Sequence, residues 1–361
     1  MQHRAPAPWV AASVALIGAG AVAATTAVAP LPAQPALHTH AVQLTASWET
    51  VLQTAEANAT DIWNHFSAAP FAALQQQLAN QIGYIQGLAD GSLSFADVST
   101  DIQNHLTALF GAPATDDTAA VPGALFGPFL PEGGATDTLY QSLDDVVKAT
   151  DGLLAGIIDH STLFGMLTDA TVLPGIVESL GLDESAVPLV AAALNFAGSP
   201  LSGVVIGQIS TMLSPVLQVN EDLTNISAAL TGDDPDWDAA LQNLTDMPAN
   251  IVNAYLNGYG EVDLMPILDQ LGITPPALTL LDLPTYITEL NLNVGGLLSS
   301  GGSIFDVIGM GAGTDALGEP MDLFSLSGVA VGPIASMVEF SQSIAMALGW
   351  DGSSDILDGL F

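Results

Sequence analysis

The chain has 361 residues, of which 38 are acidic and two, Arg4 and Lys148, are strongly basic, giving a formal charge of −36. With so few cations to neutralise phosphates, nucleic-acid binding is excluded, and so is adsorption to anionic headgroups through a basic patch. Cysteine is absent, which removes disulfides, thiol nucleophiles and cysteine metal sites, whereas 49% apolar residues and a mean hydropathy of +0.46 supply ample core.

Salt-bridge networks cannot hold such a fold, so apolar burial, hydrogen bonds and helix capping must. The carboxylates repel one another. A salt titration is therefore expected to raise the melting temperature until the repulsion is screened, and a flat titration would contradict this electrostatic account.

The first 29 residues predict an export signal. Arg4 is followed by the apolar run "AASVALIGAGAVAATTAVA", with small residues at Ala21, Ala23 and Ala24 suited to cleavage near 23–29. An uncleaved membrane anchor is the competing reading. The run is short, contains Gly18 and Gly20 and leads into "PLPAQP", all of which favour a cleaved signal. Residues 30–46 are a Pro-rich linker whose His38 and His40 form an isolated H-x-H, too little for a metal site.

Three helices are predicted over 47–111. Trp48, Val51, Leu52, Ala55, Ala59, Ile62, Trp63 and Phe66 recur at three- and four-residue spacing after Ser47, a suitable N-cap. A second helix opens at Pro70 and repeats the pattern through Phe71, Leu74, Leu78, Ile82 and Ile85. A third spans 94–111 and closes at Gly111. His65 and His105 fall near helix ends and read as capping or packing residues. Residues 112–137, rich in Gly, Pro and Asp, read as a loop.

The main helical domain is expected over 138–361. Helical patterns return at 138–159, where Asp144 stands four residues before Lys148 and offers it a local ion pair. Between Glu184 and Glu221 no residue is charged. Pro188, Pro200, Pro215 and Gly198 cut this stretch into pieces shorter than the roughly 20 residues of a simple bilayer span. Two buried helices joined at "GSP" are the plain reading. Membrane-inserted helices are the other, since Gly203, Gly207 and Ser210 suit close helix contact.

Residues 233–247 and 248–260 predict consecutive helices. Asp233, Asp234, Asp236 and Asp238 lack the glycine and distal glutamate of a calcium loop and read as helix-start carboxylates. Alternation at Leu290, Leu292 and Val294, together with "LFSLSGVAVG", predicts a small hairpin or sheet within 278–330. An apolar helix follows over 331–350. The expected fold is mainly α, a helical bundle with a small β hairpin or sheet in the C-terminal third.

The sequence contains no G-x-S-x-G, Walker, Rossmann or H-E-x-x-H pattern, and Ser299 and Ser300 lie in a Gly-rich turn. Pairs such as Asp144 and Asp145 carry little information in so acidic a chain. No catalytic, cofactor or metal residue is assigned, and no enzyme is expected. A secreted hydrolase would require a serine that labels with an activity probe.

Four segments stand in a suggestive order: "SWETVLQTAEANATDIWNHFSAAPFAALQQQLANQIGYI", "NLTDMPANIVNAYLNGYGEVDLMPIL", "GGSIFDVIGMG" and "VGPIASMVEFSQSIAMALGWDG". With the "ALIGAGAVAATTAVAPLP" leader, this order resembles the GjpA-type outer membrane porin family of mycobacteria and related mycolic-acid actinobacteria. The resemblance implies an exported, channel-forming protein of the mycolic-acid outer membrane that passes small hydrophilic solutes. Membrane lipids and a homo-oligomer would be its partners. The acidic composition adds an expectation of cation preference, with small cations as further partners. The alternative is a soluble, exported, acidic envelope protein that binds a lipid or a wall partner.

Overall fold

The computed structural model describes residues 47–112, 121–128, 143, 147–231, 234–272, 275, 278–280, 283–316, 318–352 and 356. The leader, the linker with His38 and His40, and most of the 112–137 loop lie outside the described residues, as do Asp144, Asp145 and Asp233. The described fold is mainly α, with its principal sheet in the C-terminal third.

The N-terminal segment forms α1 (Trp48–Ala68), α2 (Ala72–Asp90) and α3 (Phe95–Phe110). Ser47 caps α1 by accepting from the Thr50 amide at 3.2 Å. Ser94 and Asp97 close a capping box at the start of α3, and Gly111 ends that helix. The predicted proline start of α2 moves two residues on, to Ala72, behind Phe71. Two short strands, β1 (Gly111–Ala112) and β2 (Val121–Pro122), pair antiparallel.

The helical pattern of 138–159 does not become a helix over its described part. Residues 148–159 form turns closed by a bridge between Lys148 and Asp159, and their backbone runs along the last strand of the sheet. The helices α4 (His160–Thr168), α5 (Leu173–Ser179) and α6 (Val187–Ala197) follow.

Residues 198–199 then join α6 to α7 (Pro200–Leu230), so the predicted break at "GSP" is present. The predicted cut at Pro215 is not. α7 continues through it for 31 residues. The two helices expected over 233–260 are likewise one, α8 (Trp237–Asn257), with Pro248 inside it. In both, a missing backbone donor costs less than the packing of α7 along α8 restores.

The sheet holds β3 (Gly260–Asp263), β4 (Leu278–Leu280), β5 (Leu283–Val294), β6 (Ile308–Thr314) and β7 (Met321–Leu326), with α9 (Met265–Gln270) after β3. Its order is β3-β5-β6-β7, and β4 pairs with the start of β5; every pairing is antiparallel. The sheet therefore starts at 260, earlier than the predicted 278. The free side of β7 is taken up by the 150–154 segment, where the Thr150 and Leu154 amides donate to Ser325 and Leu323 carbonyls. α10 (Pro333–Ala347) closes the fold.

The largest apolar core lies between β6, β7 and α4, where Leu163, Phe164, Phe305, Leu323 and Phe324 are buried together with Ile158. Elsewhere two smaller apolar clusters, Ala69, Ala72, Ala345 and Trp350, and Ile62 with Ala335, pack the N-terminal helices against the last helix, and polar bonds add to them. The Asn58 amide donates to Asn257 Oδ1 at 3.1 Å, joining α1 to α8, and Gln342 of α10 donates to the His65 carbonyl at 3.0 Å.

Candidate functional surface

The long uncharged stretch folds with its polarity turned inward. Apart from Pro200, the buried residues of α7 are Ser202, Gly203, Gly207, Ser210, Thr211, Ser214, Gln218 and Asp222. None carries a large apolar side chain. Val205, Met212, Leu213, Val216 and Leu223 face outward, with Met212 64% exposed. α10 repeats the arrangement. Ser336, Glu339, Gln342 and Ser343 are buried together with the small apolar residues Pro333, Ala335 and Ala345, whereas Ile334 and Met337 are exposed. A water-soluble helix buries its apolar stripe, so both helices run against that rule.

The inward face of α7 works through smallness and hydrogen bonds. A Cβ on Gly203 would lie 1.7 Å from the Gly302 carbonyl oxygen, and one on Gly207 would lie 2.6 Å from the Pro333 nitrogen. Ser214 donates to the Gly295 carbonyl at 2.8 Å. Farther along, Asp222 Oδ1 accepts from Gln218 and from Asn250 of α8, each at 3.0 Å, while its buried Oδ2 has no hydrogen-bond partner. Gly203 and Gly207, singled out for close contact, make it against the 302–336 region, and Ser210 is buried on the same face.

The N-terminal helices add to the outward apolar area. α3 buries no residue, and Phe95 is 82% exposed. Between α1, the turn after it and α10 lies an open groove of about 510 Å³, lined by Ile62, Trp63, Phe66, Phe71, Ile334, Met337 and Val338, with Ala59, Ala69 and Ser341 completing it. The Ser341 hydroxyl already accepts from the Ala73 amide at 3.2 Å, so the wall offers little polarity.

Three aromatic rings run along that wall. Trp63 and Phe66 are 5.8 Å apart, and Phe66 meets Phe71 edge-on at 5.2 Å. Phe71 has φ 53°, and among the described residues it is the one non-glycine with positive φ. That conformation costs roughly 1–2 kcal/mol for a residue with a Cβ. Its ring is 66% exposed, so burial in the chain does not offset the cost.

The remaining residues of interest from the sequence make contacts within the fold. His65 Nδ1 lies 2.9 Å from the Asp61 carbonyl of its own helix. His105 lies 3.3 Å from the Tyr84 hydroxyl, which also donates to Asp101 at 2.6 Å. Burial, followed by that carboxylate, pushes the Tyr84 phenol up to about 12. Asp236 caps α8 through the Ala239 amide, as helix-start carboxylates should, and Ser299 accepts from Gly296 within a buried turn.

Lys148 sits 3.3 Å from Asp159, eleven residues on, rather than on a neighbour along a helix. Sequence reasoning passed over His160, which is fully buried with Nε2 3.1 Å from the Ile308 carbonyl. It also passed over Phe71, because nothing in the residue string marks a positive φ. No group of three or more His, Asp or Glu side chains able to hold a metal ion occurs among the described residues.

Comparison with known proteins adds no relative: no family model, no curated protein and no solved structure matches the chain.

Proposed function

We propose that this protein works in the lipid of a mycolic-acid outer membrane, where copies of it assemble a channel for small hydrophilic solutes with a preference for cations. One observation carries the reading: α7 and α10 bury serine, glutamine, aspartate and glutamate and turn valine, leucine, isoleucine and methionine outward. Helices in hydrocarbon take that form, with small and hydrogen-bonding residues at the helix contacts.

At 31 residues α7 is about 46 Å long, ample for a hydrocarbon layer of about 30 Å. Among the described residues it is the one single helix long and apolar enough to cross a membrane. Hydropathy alone would equally fit a buried core helix, and the direction of the faces favours lipid. The excess of 38 carboxylates over two strong bases supports cation preference, because an acidic vestibule concentrates cations. The order of segments, which resembles that of the porin family, supports the same reading.

The test is a planar lipid bilayer to which purified protein is added under a salt gradient. Discrete current steps with a cation-selective reversal potential are the expected result. Steps with anion preference would keep the channel and remove the electrostatic account. Silence from monodisperse protein that needs no detergent would replace the channel with a soluble acidic envelope protein.

A further inference from the structure

We propose that the groove between α1 and α10 is a seat for one acyl chain of an uncharged lipid, such as a monoacylglycerol or an ester. The inference rests on the lipid-facing reading of α10 and is independent of conduction.

The shape and lining fit a chain rather than a headgroup. A volume of about 510 Å³ falls within the roughly 300–1,000 Å³ of small-molecule sites. Its walls are aromatic and aliphatic, and its one hydroxyl, on Ser341, is engaged with the Ala73 amide. Met337 supplies an adaptable, polarisable side chain at the rim. Phe71 is held in a left-handed conformation that keeps its ring at the mouth instead of in the core. Backbone strain of this kind collects at ligand clamps.

Charge decides which lipid. The flanking helices carry Glu49, Glu56, Asp61 and Glu339 and no lysine or arginine. Lys148 is engaged with Asp159 elsewhere in the fold. None of those four carboxylates lines the groove, but a fatty-acid carboxylate or a phosphate head would find no lysine or arginine there and only carboxylate charges along the flanking helices, whereas an uncharged head carries no such penalty.

The experiment titrates the full-length chain with a monoacylglycerol whose acyl chain is dibrominated, below its micelle concentration, and reads tryptophan emission. Bromine quenches on contact, and Trp63 lies in the groove wall. Saturable quenching at one lipid per chain is expected. Most of its amplitude should vanish in Trp63→Phe, and Met337→Glu, at a 59% exposed position, should weaken binding at least tenfold. The dibrominated free fatty acid at pH 8 should also bind at least tenfold more weakly.

Undiminished quenching in Trp63→Phe would place the lipid against other tryptophans, which overturns the seat and leaves lipid contact standing. Equal affinity for the fatty-acid anion would overturn the choice of an uncharged head. Absence of quenching in a wild-type dimer that Met337→Glu turns into a monomer would overturn the proposal in favour of a second copy in the groove.

Discussion

Gly203→Ala is expected to destabilise the fold by about 3 kcal/mol, although alanine is the better helix former. Intrinsic propensity alone favours the substitution by up to about 1 kcal/mol. Geometry opposes it: the new Cβ would stand 1.7 Å from the Gly302 carbonyl oxygen, and both partners are backbone on packed elements. A flexible side chain could swing away, but here α7 itself must retreat from the 302–336 region. Gly83→Ala in α2 is the control, since nothing lies within 4 Å of its added Cβ. Denaturant unfolding of the pair should give opposite signs. Stabilisation by Gly203→Ala would show that α7 is not held at this distance.

The second large effect is at Asp159, and it carries a pH signature. Its Oδ1 accepts from the Thr162 amide at 2.7 Å and hydroxyl at 2.6 Å, capping α4, while its Oδ2 meets Lys148 at 3.3 Å. Burial opposes the ionised carboxylate, but the bonds from Thr162 and the charge of Lys148 outweigh it and hold the group below its ordinary value. Asp159→Ala should cost about 2 kcal/mol, mostly from the lost cap. Asp159→Asn keeps a capping oxygen and should cost under about 1 kcal/mol, because the lysine is half exposed and its ion pair is weak.

The sign with pH follows from the depressed value. Folding favours the ionised form, so the stabilisation is fully present above the unfolded value of about 3.8 and is lost as pH falls through the lower folded one. Melting temperatures of wild type and Asp159→Ala should therefore stay separated from pH 7 to about pH 4.5 and converge below that. A gap that widens in acid would reverse the assignment.

Much of the helical order was legible because its signals are local. Ser47, Gly111 and the three- to four-residue spacing marked α1 and α3, and "GSP" marked the turn between α6 and α7. What stayed hidden depends on distant partners. Pro215 and Pro248 read as breaks, yet α7 and α8 carry on because each packs along the other. The spacing in 138–159 resembles a helix, but its described backbone instead bonds to β7 more than 160 residues away. The outward surface was hidden for another reason: amphipathic reading assumes that apolar faces turn inward, and in α7 and α10 the small and polar residues do so. The strained Phe71 leaves no trace in composition.

The guarding of the sheet has a consequence for assembly. Along β7 the outer backbone groups are already bonded to the 150–154 segment, and the opposite edge is divided between β3, which carries Glu261 and Asp263, and the three-residue β4. Burial first, and then the neighbouring Glu289 and Asp263 carboxylates, raise the Glu261 value. Strand-by-strand growth between copies is thus opposed by existing bonds along β7, by carboxylate repulsion along β3 and by the shortness of β4. For the described part of this sheet, a ring or cluster of chains is favoured through helix crossings, with a symmetry set by side-chain packing rather than by a continuous hydrogen-bonded wall.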